Sequence, residues 1–152
     1  MNVFYLHEDP RQAARMHIWH KHVVKMILEY AQMLSTAHRI LDESDDDRLY
    51  RITHINHPSN VWIRQHESHY AWVYQCMMEL GRIYKQRTSK DHLTITKLGS
   101  LLCRPPRNIT KNTEFNKPHF TPPPPAMPDE YKVEGNSLAS YLNYYEHKKE
   151  IL

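Results

Sequence analysis

Residues that could carry out chemistry recur at helical spacing between His17 and Arg39. Lys21, Lys25 and Glu29 follow one another at intervals of four, so in a helix they share one face. A lysine beside another cation can attack an electrophilic carbon and form a Schiff base, and a carboxylate one turn away can transfer the proton. We therefore predict Lys25 as nucleophile, Lys21 as its cationic neighbour and Glu29 as acid or base, with His22 as a further catalytic residue.

Other polar side chains are candidates for holding a substrate. His22 and Gln32 lie with Lys21, Lys25 and Glu29 on one polar stripe, the solvent side of the predicted helix, and could orient a ligand. Arg39 or Arg64 could hold a phosphate. Trp62 lies close to Arg64 in sequence, and aromatic residues interleaved with cations serve base stacking. The alternative for such aromatics is burial in the core. The predicted binding residues are His17, Gln32, Arg39, His57, Trp62, Arg64, Arg82, Lys85, Arg104 and Arg107.

An amphipathic helix must position the stripe. Its apolar side repeats at intervals of three and four: Val23, Ile27, Tyr30, Ala31, Leu34 and Ala37. The same pattern has a simpler interpretation, in which the polar stripe is a solvated surface stabilised by Lys25 and Glu29 at i, i+4.

The remaining elements follow from local signals. Asp9 before Pro10 predicts a helix start, with a bend between His17 and His20 before the main helix ends near Leu41. Residues 2–6 predict one strand or an extended lead-in. Pro58 opens a helical turn, and a second long helix is predicted over 67–86. Ser89 is predicted to cap a third segment. Asn136 or Ser137 is predicted to cap a terminal helix. Gly81, inside the second long helix, predicts close helix packing.

The segment between the third predicted helix and the terminal helix is rich in proline. Eight of the ten prolines lie within 105–128, which excludes regular helix and central strand. Ile109, Phe115, Phe120 and Met127 are apolar anchors that a disordered linker usually lacks. We expect a mainly α fold: a compact bundle of about four helices in one domain over 1–152, with a Pro-rich strap at 103–135 packed on it and a C-terminal helix.

Charge is distributed unevenly although the net charge is only +3. Residues 82–117 hold nine basic side chains against Asp91 and Glu114, a local net charge of +7. Such asymmetry favours an anionic partner, most commonly nucleic acid, although it also suits a solubilising surface.

The sequence gives less support to a metal site, a disulfide bond or a membrane-spanning segment. Three His-x-x-His pairs (17/20, 54/57 and 66/69) have spacing that suits a transition metal, but stronger signatures such as His-Glu-x-x-His are absent from the sequence. We expect no required cofactor. Cys76 and Cys103 are not in a paired motif and predict reduced thiols of a cytoplasmic protein. No apolar run of membrane-spanning length or signal peptide is recognised, so no membrane partner is expected.

Three strings carry a resemblance: HKHVVKMILEYAQMLSTAHR at 20–39, NHPSNVW at 56–62 and AMPDEYK at 126–132. Together they resemble a family of uncharacterised proteins encoded by tailed phages, across nearly the whole chain. That resemblance implies a phage protein acting in the cytoplasm of the infected bacterial host.

The order of elements is also similar to that of the phage pyrimidine-dimer DNA glycosylases, the endonuclease V family. NVFYLH, a long first helix, His-Pro, and a long helix ending in basic residues follow in that order. The resemblance implies a compact helical enzyme that flips a base and uses an N-terminal amine with a helix-one glutamate, for which Glu29 is the nearest counterpart. Asn2 departs from the small second residue that the family's nucleophile requires, so Lys21 or Lys25 would replace it.

Three hypotheses follow from these patterns. The first is a DNA-processing enzyme of glycosylase and lyase type, with residues 82–117 contacting phosphates. The second is a non-enzymatic phage protein that binds a host protein or nucleic acid through the strap. The third is a histidine-based metalloprotein.

Overall fold

The computed structural model describes residues 1–111 and 119–147, and these form a mainly helical protein. Six α-helices pack together: α1 (Pro10–Arg15), α2 (His20–Leu41), α3 (Pro58–Gln65), α4 (Glu67–Thr88), α5 (Leu93–Leu98) and α6 (Ser137–His147). Single 3-10 turns cover Leu101–Cys103 and Asp129–Tyr131. No strand occurs in the described ranges, so residues 2–6 are the extended lead-in rather than a strand. The predicted fold class is confirmed.

The helix boundaries follow the local chemistry of the sequence. The Asp9 carboxylate accepts the backbone N–H of Arg11 at 2.8 Å, and Pro10 is the first residue of α1, as predicted. The predicted bend separates α1 from α2, and α4 lies where the second long helix was expected.

The start of the third segment differs from the prediction. Ser89 ends α4 in a left-handed conformation, with φ of 60°, rather than capping the next helix. The cap of α5 is His92, whose ring accepts the Thr94 N–H at 3.1 Å. A residue that closes one helix in the left-handed region cannot also supply the extended N-cap of the next.

Two helices of 22 residues, α2 and α4, form the centre of the fold and pack against each other. The apolar stripe predicted for α2 is buried without exception. A Cβ on Gly81 would lie 2.8 Å from Ile95 Cγ1, so the predicted close packing there is between α4 and α5. Within the described residues, no helix is long and apolar enough to cross a membrane.

The described part of the strap lies on the helices. Ile109 and Met127 are buried and Phe120 is partly buried, whereas Phe115 falls outside the described residues. The strap begins where Asp42, at the end of α2, accepts the backbone N–H groups of Arg107 and Asn108 at 2.8 and 2.9 Å. It ends at Asn136, whose side chain accepts the Ala139 N–H at 2.9 Å as the predicted cap of α6.

Candidate functional site

Glu29 lies between two amines. Its Oε1 is 3.6 Å from the α-amine of Met1, and its Oε2 is 3.7 Å from Nζ of Lys25. The Glu29 side chain is 13% exposed, the Met1 side chain 6% and the Lys25 side chain 54%. One partly buried carboxylate therefore has a sheltered amine on one side and an accessible amine on the other.

The lead-in carries Met1 to this position. Val3, Phe4, Tyr5 and Leu6 are all buried, and the Phe4 N–H donates to the Tyr30 hydroxyl at 3.0 Å. Tyr30 follows Glu29 directly in α2, so this hydrogen bond fixes the chain three residues from Met1 next to the carboxylate. The sequence predicted an extended lead-in but carried no signal for the contact between Met1 and Glu29.

Residues at the start of α3 lie near Met1. His57 caps α3 through its ring, which accepts the Ser59 N–H at 3.0 Å. Its pKa is lowered by burial and then by the positive charges of the Met1 amine and His54. Asn60 Nδ2 donates to the Thr53 and His54 carbonyls at 3.0 and 2.9 Å and lies 3.5 Å from the Met1 sulfur.

Three buried oxygen atoms near Met1 can accept further hydrogen bonds. Asn2 Oδ1, Asn60 Oδ1 and Glu29 Oε2 have no hydrogen-bond partner among the described residues. Buried acceptors are normally satisfied, so these atoms are suited to a ligand or water that donates N–H or O–H groups. Sequence reasoning missed Asn2 and Asn60 as site residues; the one available signal for Asn60 was its place in the NHPSNVW string.

The other side chains of the predicted polar stripe differ from the expectation in how far they are exposed to solvent. Lys21 is exposed, Gln32 is half-buried and His22 is fully buried, although His22 was placed on the solvent side of the helix. The lead-in explains this difference, because Phe4 packs edge-on against the His22 ring with centroids 4.5 Å apart. A role for His22 in orienting a substrate stays a prediction, now for a side chain enclosed in the core.

His17 lies beside His22 in the same enclosure. Their rings are 5.1 Å apart and nearly parallel, and His17 Nδ1 donates to the Ala13 carbonyl at 2.9 Å. Burial lowers the pKa of His17 to about 4, and burial together with the charges of His17 and Lys25 lowers the pKa of His22 to about 3. Both rings are therefore neutral at pH 7.

Arg39 and Arg64, predicted to hold phosphate, bind the loop between α2 and α3. Arg64 Nη2 donates to the Ile55 carbonyl at 2.9 Å. The Arg39 guanidinium donates to four backbone carbonyls, those of Ser44, Asp46, Leu49 and Tyr50. Their role toward phosphate stays a prediction, and the structure shows a loop-holding role for both.

Trp62 and its neighbours follow the alternative of burial in the core. Trp62, Tyr70 and Trp72 are at most 5% exposed, and only Tyr74 is half-buried. Trp62 stacks on His69 with ring centroids 4.2 Å apart, so its faces contribute to packing.

The predicted basic surface is exposed where it is described. Arg82 pairs with Glu79 at 3.0 Å and Lys85 with Asp91 at 3.2 Å, while Arg104 and Arg107 are exposed. Lys117, the last residue of this region, lies outside the described residues. Contact with nucleic acid through these groups stays a prediction.

Several members of the His-x-x-His pairs lie in helix caps or core contacts, whereas His20 and His54 are exposed. His57 and His66 each accept the N–H two residues ahead, and His69 bonds to the Trp62 carbonyl and the Thr121 N–H. Over residues 1–111 and 119–147, no group of three or more His, Cys, Asp or Glu side chains could hold a metal ion. Comparison of the chain with protein-family models, curated proteins and solved structures gives no match.

Proposed function

We propose that the chain is a phage-encoded DNA-processing enzyme of glycosylase and lyase type, in which an amine beside Glu29 attacks the sugar of a damaged or modified nucleotide. The observation that supports this proposal is the carboxylate with an amine on each side, at 3.6 and 3.7 Å. The resemblance to the pyrimidine-dimer glycosylases, which use an amine and a glutamate, points to the same chemistry.

The proposed reaction begins at C1′ of the target nucleotide. The neutral amine gives its electron pair to C1′ while the C1′–N glycosidic bond breaks, and the base leaves with the electron pair of the broken bond and takes up a proton from water. The sugar ring then opens and an iminium joins the amine to C1′. Glu29 accepts the proton that the attacking amine loses and passes it to the ring oxygen O4′ as the ring opens. The restored carboxylate later accepts the C2′ proton whose removal expels the 3′ phosphate.

Each of the two amines has a physical argument in its favour. Lys25, with a side chain 54% exposed, is the more accessible to a large substrate. The α-amine of Met1, whose side chain is 6% exposed, lies in the sheltered part of the site. Asn2 and Asn60, with unpaired buried oxygens beside Met1, would accept hydrogen bonds from the N–H groups of an extruded base.

Borohydride trapping tests the proposal. The chain is incubated with a duplex oligonucleotide that carries an abasic site, and borohydride reduces the iminium to a stable covalent adduct. We expect an adduct whose peptide map places the DNA on Met1 or Lys25. Glu29→Gln should reduce the rate of trapping by about 100-fold or more, the usual range for loss of a general acid or base.

Two further variants complete the test. Lys25→Ala shows whether the lysine or the α-amine carries the DNA, and Lys132→Ala removes an exposed lysine outside the site as the matched control. Circular dichroism verifies that each variant is folded. No adduct with the unmodified chain, or equal trapping by Glu29→Gln and Lys132→Ala, would overturn the proposal.

A further inference from the structure

A cavity lies between α1 and α4, away from the residues around Glu29. It has a volume of about 380 Å³ and is lined by Arg11, Tyr74, Gln75, Met78, Glu79 and Arg82. Arg11 comes from α1 and the other five residues from α4, so the packing of these two helices creates the cavity.

Glu79 organises the charges of this cavity. Its side chain is 6% exposed, and a carboxylate this deeply buried requires cationic partners. Arg82 Nη1 lies 3.0 Å from its Oε1 and Arg15 Nη2 lies 3.5 Å from its Oε2. Glu79 thus holds one guanidinium from each helix at the same place.

The cluster retains unused positive charge. Arg15 and Arg82 pair with Glu79, Arg11 lines the same cavity, and Asp9 Oδ1 accepts the N–H groups of Arg11 and Gln12 at the start of α1. A guanidinium has five N–H donors, of which the contact with Glu79 uses only a part. Arginine groups in such a cluster match the oxygens of a phosphate.

The walls of the cavity can contact the part of a ligand that is attached to the phosphate. Tyr74 and Met78 offer an aromatic and an apolar surface, and Gln75 offers an amide. The Tyr74 hydroxyl donates to the Gly99 carbonyl at 2.6 Å, so its ring is fixed in position. An aromatic ring beside arginines suits a base attached to a phosphate.

We propose that this cavity is a binding site for the phosphate group of a nucleotide. Arg11 and Arg82 contact the phosphate, Glu79, itself paired with Arg15, holds Arg82 in place, and Tyr74 packs against the attached sugar or base. A free nucleotide and a phosphate within a DNA strand share this chemistry. The site does not depend on the reaction proposed at Glu29.

Calorimetric titration with three probes tests the site: inorganic pyrophosphate, thymidine 5′-monophosphate and a single-stranded DNA hexamer. Arg11→Gln is the central variant, because Arg11 has no ion pair with Glu79 to lose. We expect Arg11→Gln and Arg82→Gln each to weaken binding about tenfold, equivalent to about 1.4 kcal/mol. Arg51→Gln, which removes an exposed arginine outside the cavity, is the matched control and should change affinity less than twofold.

The probes also separate the two sources of the phosphate. Arg11-dependent binding of the mononucleotide indicates a free nucleotide, and Arg11-dependent binding of the hexamer alone indicates a strand. Absence of saturable binding for all three probes, or equal affinities of Arg11→Gln and Arg51→Gln, would overturn the proposal. Borohydride trapping is measured in a separate experiment. A failure of the reaction proposed at Glu29 is therefore distinguishable from a failure of the proposed phosphate site.

Discussion

The two stacked histidines, His17 and His22, show how burial sets the chemistry of a single side chain. Three of their four ring nitrogens have no hydrogen-bond partner among the described residues. Both pKa values are lowered, chiefly by burial, because a charged imidazole in this enclosure would lose its hydration without gaining a counter-ion. Both rings therefore resist protonation, and neither supplies a positive charge to the site around Glu29.

Acid should destabilise the protein through this pair. The unfolded chain takes up protons at a histidine near pH 6.5, whereas the folded chain does so only near pH 4 and pH 3. Stability is therefore fully present above pH 6.5 and is lost as the pH falls toward 3. Around pH 5 the pair contributes a slope of up to about 2.7 kcal/mol per pH unit, the value for two protons.

His22→Leu tests this linkage. Leucine removes no hydrogen bond, and it should reduce the slope of the unfolding free energy near pH 5 by about 1.4 kcal/mol per pH unit. His20→Leu, at an exposed position of the same helix, is the control. The pKa values of His38, His57, His69 and His92 are also lowered, chiefly by burial, but they affect both variants equally. Identical slopes in urea titrations of both variants would contradict the prediction.

At the scale of elements, the close approach of α5 to α4 depends on one glycine. Gly81 costs about 1 kcal/mol of helix propensity relative to alanine. That cost is offset by packing, because Ile95 occupies the space that a side chain at position 81 would need.

Gly81→Ala should lower the free energy of unfolding by about 1–3 kcal/mol, since the new methyl group overlaps the Ile95 side chain. In an Ile95→Ala background the overlap is removed, and the same substitution should instead stabilise the protein by up to about 1 kcal/mol. Denaturant unfolding of the two single variants and the double variant measures the coupling. Additive effects would show that the contact between α4 and α5 does not determine the choice of glycine.

At the scale of the whole molecule, the strap joins distant parts of the chain. Thr121 is the centre of this attachment: its carbonyl accepts from Trp62 Nε1 at 2.9 Å, and its N–H donates to His69 Nε2 at 3.1 Å. His69 Nδ1 in turn donates to the Trp62 carbonyl at 2.7 Å, which fixes the neutral tautomer. The Tyr141 hydroxyl continues the attachment by donating to the Pro124 carbonyl at 2.9 Å.

His69→Phe should loosen the strap. Phenylalanine preserves the stacking on Trp62 but leaves the buried Trp62 carbonyl and the Thr121 N–H without partners, at a cost of about 1–3 kcal/mol. The amide of Thr121 should exchange its hydrogen faster with solvent. Ser68→Ala, which removes an exposed hydrogen bond to the His119 carbonyl and a local one to His66 Nδ1, should cost less than about 1 kcal/mol. Unchanged exchange at Thr121 in His69→Phe would refute this account of the strap.

Sequence by itself determined most of the elements of this protein. Asp9 and Pro10 define the start of α1, the apolar repeat defines α2, and Asn136 caps α6. These predictions hold because caps, proline and periodicity act within one or two turns of the chain. Ser89 shows their limit, since its left-handed conformation depends on where α4 ends.

Only the tertiary structure determined the composition of the sites. Spacing along α2 predicted Lys25 beside Glu29, but Met1 reaches Glu29 across 28 positions because Val3 to Leu6 bury against the helices. The same burial turned His22 from a predicted surface group into a core group. Arg11 and Arg82 meet at one cavity because α1 packs on α4. Local patterns specify the faces of a helix, whereas the segment that covers each face is decided by long-range packing.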